Sequence, residues 1–179
     1  MNNLEQKVFN QQCLYLALMQ LLRKKSIVSI TIGELCEHAG ISRMTYYRSY
    51  SSKEDILLQH LEECFERFLK QLESQKIYTY YDRSRIFFDF WKKEEQEFLL
   101  ILVRSGLSMQ LMDKFYCYLE LFYQKMAPSQ TINPYIRSFL AGGLYKLLVD
   151  WINDDSVSSA EIAEFLSVGG TALFQTIAK

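Results

Sequence analysis

The sequence predicts an all-α chain of about nine helices, and three observations carry that prediction. Its 179 residues include only two prolines and seven glycines, so little interrupts a helix. Apolar residues recur three and four positions apart through most of the length, which is helix period, and no stretch reads as a convincing strand. Helix-start signals also recur: Ser or Thr with Glu three residues on, and one Asn-Pro pair.

Leu14, Ala17, Leu18, Leu21 and Leu22 form the apolar stripe of a first helix, which Arg23, Lys24 and Lys25 end as the helix dipole prefers. Ser26 to Ile30 then reads as extended. Thr31-x-x-Glu34 is a capping box that opens a short helix ending at Gly40. Ser42 caps a third short helix through about Arg48. Ser51-x-x-Glu54 reads as a second capping box, opening a long helix with Leu57, Leu61, Cys64, Phe65, Phe68 and Leu72 at three- and four-residue spacing. Helical pattern resumes around Arg83 to Lys93 and Glu94 to Arg104. Leu107 to Met126 is apolar on nearly every side, which predicts a buried helix ended by Pro128. Asn133 and Pro134 open a helix with one broad apolar face from Ile136 to Trp151, and Ser158-x-x-Glu161 caps the last one.

Composition narrows the function classes. Nearly half the residues are hydrophobic, enough for a packed core. Formal net charge is −1, so any polyanion partner must be met by local placement of cations. Residues 1–60 hold seven Lys and Arg against five Asp and Glu; the rest hold thirteen against sixteen. Cys13, Cys36, Cys64 and Cys117 are scattered and read as reduced thiols, which with no visible signal peptide predicts a cytoplasmic protein. The longest apolar run, Phe98 to Val103, is too short to span a bilayer. No nucleophile, P-loop, dinucleotide or zinc-hydrolase motif is present, so the chain is not expected to be an enzyme or to carry a cofactor. His60 and Cys64 stand four apart on one helix, a spacing that can chelate; because Cys64 belongs to the apolar stripe, no metal is expected.

The stretch HAGISRMTYYRSYSSKEDIL, His38 to Leu57, concentrates the chemistry. Two short helices joined through Gly40-Ile41-Ser42 form a helix-turn-helix. In such a motif the second helix enters the DNA major groove with its first residues toward the base edges. Arg43 is placed to pair with guanine, and Met44 or Thr45 to touch a thymine methyl. Tyr47, Arg48, Ser49 and Lys53 suit phosphates, as do Ser51 and Ser52 at a helix start. Tyr46 and Tyr50 are expected to hold this helix on its core while Tyr47 and the arginines face outward.

The segment TIGELCEHAGISRMTYYRSYSSKEDIL resembles the DNA-binding signature of the tetracycline-repressor (TetR) family of bacterial transcriptional regulators. The register is shared at Thr31, Leu35, Ala39 to Ser42, Thr45, Tyr47, Tyr50 and Lys53. Ser49 stands where the family usually has His, Cys36 where it has Ala, and Ser26 where it has Gly. Gly33 supplies no side chain for base reading, which leaves that work to Arg43 through Tyr47. The resemblance implies a DNA-binding domain over residues 1–50 and an effector-binding and dimerisation domain over 51–179, with the helix over 51–72 connecting them. DNA-binding residues are then Thr31, Ser42, Arg43, Met44, Thr45, Tyr47, Arg48, Ser49 and Lys53.

The same resemblance implies a homodimer on a palindromic operator, with Phe139, Gly143, Leu147, Trp151, Ile162, Phe165, Leu166 and Gly169 as candidate interface residues. An effector, small molecule or protein, is expected to release the repressor; candidate pocket residues are Phe87, Trp91, Phe115, Tyr118 and Phe122, within an aromatic series that begins near Tyr78. The C-terminal region also resembles the dihydroxyacetone-kinase-type regulators, which leaves open an activator acting with a partner protein. A helical protein-interaction module without DNA binding is the rival class.

Overall fold

The computed structural model describes residues 2–75, 79–126 and 133–177, with side chains described for all of these except 122, 123, 125, 126 and 169–177. Nine α-helices and one 3-10 turn follow in order, with no strand among the described residues. They are α1 (Asn3–Leu22), the 3-10 turn (Ile27–Ser29), α2 (Ile32–Ala39), α3 (Arg43–Ser49), α4 (Lys53–Ser74), α5 (Tyr80–Glu94), α6 (Gln96–Arg104), α7 (Ser108–Met126), α8 (Pro134–Trp151) and α9 (Ser159–Ile177). The expected all-α class holds. No helix among the described residues is long and apolar enough to cross a membrane. Pro128, the expected stop of α7, and Tyr78 lie outside the described residues.

The chain divides into two compact units. The first comprises Met1–Glu63 and Leu100–Leu111; the second comprises Cys64–Leu99 and Met112–Lys179. In the first, α1, α2 and α3 pack on one another. Leu14, Leu18, Leu35, Tyr46, Ile56, Leu57 and Leu61 are almost fully buried. Each buried Leu or Ile contributes about 1.5–3 kcal/mol of transfer free energy, so this small core rests on a handful of side chains.

Several helix starts differ in detail from the sequence reading. α1 begins at Asn3, well before the first apolar residue of the stripe. Asn2 and Glu5 form a reciprocal capping box there, and the first half of the helix is mostly solvent-facing, its apolar Leu4, Val8 and Phe9 included. The segment expected to be extended between Ser26 and Ile30 contains the 3-10 turn, held by Ser29 N–H to Ser26 O at 3.1 Å. Thr31 does cap α2, accepting from Glu34 N–H at 3.1 Å. Glu34 does not reach back, because its carboxylate pairs with Lys25. The second box is shifted by one residue. Asp55 accepts from the backbone N–H groups of Ser51 and Ser52, both at 2.9 Å, and Ser52 Oγ accepts from Asp55 N–H. α4 therefore starts at Lys53.

In the second unit, α5 packs on α9. Phe65 stacks on Tyr118 with ring centres 3.7 Å apart, and Phe88 meets Trp151 edge to face at 5.2 Å. Hydrogen bonds to α5 and α6 and one of its own hold the α8–α9 turn. Lys92 donates to Asp154 O at 2.6 Å, Gln96 to Ile152 O at 2.8 Å, and Trp151 Nε1 to Val157 O at 2.7 Å. Asn133 caps α8 through Tyr135 N–H with Pro134 in the first turn, as expected. Ser158 and Glu161 form the reciprocal box before α9. α7 is not buried on every side: Met109, Asp113, Cys117 and Leu121 are exposed, so its apolar surplus includes solvent-facing residues.

Candidate nucleic-acid interface and cavity

The corner between α2 and α3 is built by two devices in three residues. Gly40 adopts φ +66°, the left-handed conformation that ends α2. Its N–H donates to Glu37 O at 3.2 Å and that of Ile41 to Cys36 O at 2.9 Å, the paired bonds of a Schellman motif. Ser42 then caps α3, accepting from Thr45 N–H at 3.1 Å, while the two hydroxyls meet at 2.9 Å. The chain thus stops one helix and starts the next with two of the last carbonyls of α2 and one of the first N–H groups of α3 satisfied.

This corner fixes which side of α3 is wet. Tyr46 and Tyr50 are buried, and burial raises both phenols to about 12. The Tyr46 hydroxyl has no hydrogen-bond partner among the described residues, so the ring is held by packing alone, with Tyr47 and Tyr50 as aromatic neighbours. On the other side Met44 is 70% exposed and Tyr47 60%, with Arg43 and Arg48 exposed beside them. Thr45 and Ser49 are half-buried. Large apolar and aromatic groups held outward next to two guanidinium groups form a surface with both stacking and anion-binding character.

Two of the sequence-expected contacts are differently engaged. Lys53 is turned inward: its ammonium donates to Ile27 O at 2.6 Å and to Ile30 O, tying α4 to the 3-10 turn. It holds the domain and does not project toward a phosphate. Thr31 is exposed at the start of α2, with its oxygen used as the cap.

In the second unit, a cavity of about 80 Å³ lies between α4, α5, α7 and α8. Phe87, Phe115 and Tyr118 line it, as expected, together with Phe65, Phe68, Leu140 and Leu144. Trp91 does not. It is fully buried, packed against Phe65, Phe90 and Phe115, and is core. Phe122 lies outside the residues whose side chains are described. The polar members of the wall, Tyr80, Arg83 and Ser84, come from the first turns of α5. The sequence reading missed Arg83 and Ser84 because their role follows from the packing of α5, and nothing in their spacing marks a pocket.

The α8 and α9 residues separate into two sets. Tyr135, Phe139, Phe165 and Val168 are large, apolar and exposed, and Gly143 is also exposed. Leu147 and Leu166 are half-buried. Trp151 and Ile162 were expected on the same face and are instead core, Trp151 being only 4% exposed. Trp151 stands twelve residues after Phe139, which turns it about 120° round the helix and into its own unit. Gly169 lies outside the residues whose burial is described.

No family model matches the sequence, and no curated protein does. Solved structures do match. Lin0861 from Listeria innocua aligns over 97% of this chain and 94% of its own, with a TM-score of 0.79 at 18% identity. AlkX from Dietzia sp. strain DQ12-45-1b is a TetR family repressor implicated in biodegradation of n-alkanes. It aligns over 93% of this chain and 95% of its own, with a TM-score of 0.58 at 15% identity. At these identities the likeness establishes the fold, which this chain shares along nearly its whole length.

Proposed function

We propose that the chain is a DNA-binding transcriptional regulator that works as a homodimer on a two-fold operator. One observation carries this reading. From the Gly40–Ser42 corner, a single short helix holds Arg43, Met44, Tyr47 and Arg48 outward while Tyr46 and Tyr50 anchor its other side in the core. The shared fold with a TetR family repressor supports it.

On this reading α3 enters the major groove by its N-terminal residues. Arg43 donates two N–H groups to a guanine edge, and Met44 and Thr45 meet a thymine methyl. Tyr47, Arg48, Ser49, Ser42 and the Thr31 hydroxyl take phosphates, which set register. Lys53 joins them only by leaving its two carbonyls. The exposed Phe139, Gly143 and Phe165 belong to the α8–α9 surface that pairs two copies and sets two reading helices about 34–36 Å apart. The cavity wall is mostly aromatic and aliphatic, with Arg83 and Ser84 among its few polar members, which suits a small, largely apolar effector. Its binding shifts the spacing of the reading helices and releases DNA, so the chain represses.

The test uses the full chain and a pool of fluorescent duplexes at fixed salt. Arg43→Ala with Tyr47→Ala lowers affinity about tenfold or more, with helix content and sedimentation unchanged. Equal binding by the variant refutes the reading, as does failure of the wild type to bind any duplex at low salt.

A further inference from the structure

The guanidinium of Arg43, the first residue of α3, lies against Gly33 in the first turn of α2. A methyl group at position 33 would overlap Nη2 and sit 3.2 Å from Cζ and 3.5 Å from Nε. The arginine head therefore fills the space a side chain at 33 would take. No backbone atom is among these neighbours; only the far end of Arg43 is.

Charge does not hold it there. The first turn of α2 presents unpaired N–H groups, the positive end of a helix, and Arg43 itself begins α3 at a second positive end. Among the described residues no carboxylate pairs with Arg43. The guanidinium lies in the notch without an ion pair, in a field that favours any acceptor brought from outside.

We propose that Gly33 is a specificity-determining positioning residue: the notch it leaves in α2 seats the Arg43 guanidinium across the two helices and fixes where that group meets a base edge. The inference rests on the DNA-reading role proposed for α3. Bidentate recognition of guanine needs two N–H groups in a fixed fork, so the seat matters even though Gly33 touches no base. A Cβ at 33 displaces the head by roughly 1 Å, enough to restore a contact distance near 3.5 Å. The fold is unaffected, because a flexible side chain gives way and backbone does not.

The experiment selects bound sequences from a random duplex library with four purified full-length chains: wild type, Gly33→Ala, Arg43→Ala and the double variant. The wild type is expected to enrich guanine at one position of each half-site, with roughly 5- to 150-fold discrimination. Arg43→Ala abolishes that preference. Gly33→Ala cuts it about fivefold or more at that position alone, with other positions and thermal stability preserved, and adds nothing in the Arg43→Ala background. A Gly33→Ala chain with the wild-type preference overturns the proposal. A uniform loss at every position, or a further loss in the Arg43→Ala background, also overturns it, since either shows Gly33 acting by another route. A wild type that enriches a palindrome with no base dependent on Arg43 defeats the seat and leaves DNA binding standing. A wild type that enriches nothing defeats both.

Discussion

Replacing Gly40 by Ala tests the corner that aims α3. Gly40 sits at φ +66°, and a Cβ built there meets nothing within 4 Å among the described residues. Any cost is therefore conformational, with no steric clash to confuse it. An L-residue in the left-handed region costs about 1–2 kcal/mol. Ala offsets part of this, by about 0.4–1 kcal/mol, because its unfolded chain is less free than that of Gly. Taking the middle of each range, the net expectation is a loss of about 0.8 kcal/mol. Asn, which tolerates this conformation, costs less than Ala; Val, stiff at its branched Cβ, costs more. Urea unfolding followed by far-ultraviolet circular dichroism reads the series. With a slope of about 1–3 kcal/mol per molar, Ala lowers the midpoint by a few tenths of a molar. Gly106, at φ +78° and equally open, is the internal control: the same ranking is expected there, with duplex binding weakened only by the changes at 40. A neutral Ala, or an Asn as costly as Val, would show that the left-handed corner does not control this turn.

Tyr46→Phe removes a buried hydroxyl that has no partner among the described residues, so the chain gains about 1 kcal/mol in urea unfolding; a loss of that size would reveal a bond the geometry lacks. Three carboxylates are held below their usual range: Glu34 by Lys25, Asp154 by the Ser156 hydroxyl and backbone, Glu161 by the Ser158 backbone and hydroxyl. A depressed carboxylate stabilises the fold above its ordinary value, 4.5 for Glu and 3.8 for Asp, and that contribution is lost as pH falls through the folded value. Wild type should thus exceed the Glu34→Gln, Asp154→Asn, Glu161→Gln chain at pH 7 and converge on it as the pH falls below both ordinary values, and a constant gap in thermal melts over that fall would contradict the assignment. Phe139→Arg with Phe165→Arg places charge at exposed positions of α8 and α9, so the proposed dimer should sediment as monomers with helix content intact; a dimer unchanged by the pair would move the interface elsewhere.

Much of this architecture was legible in the chain because its punctuation is local. Asn133-Pro134, Ser158-x-x-Glu161 and Gly40-Ile41-Ser42 each act through atoms a few residues apart, and each forms as read. Three of the misreadings share a cause, a partner outside the residue's own helix, whereas the missed Asn2–Glu5 box, the shift to Ser52–Asp55 and the 3-10 turn were local. Glu34 could have closed its box on Thr31, yet Lys25 took the carboxylate. Lys53 looked like an outward cation, and the carbonyls of Ile27 and Ile30 drew it in. Trp151 shares an apolar helix with Phe139, and only the helix's rotation decides that one is core and the other wet. The seat of Arg43 on Gly33 is of the same kind. A missing side chain says nothing until the group that fills its place is known.

The claim beneath all of this is that α3 meets duplex DNA with Arg43, Met44 and Tyr47. Photocrosslinking measures that contact directly, using the full chain and a pool of duplexes carrying 5-iodouracil in place of thymine. Peptide mapping of the adduct should place the crosslink between Ser42 and Arg48. Adducts confined to other helices, or none under conditions where the chain binds the pool, would contradict the account.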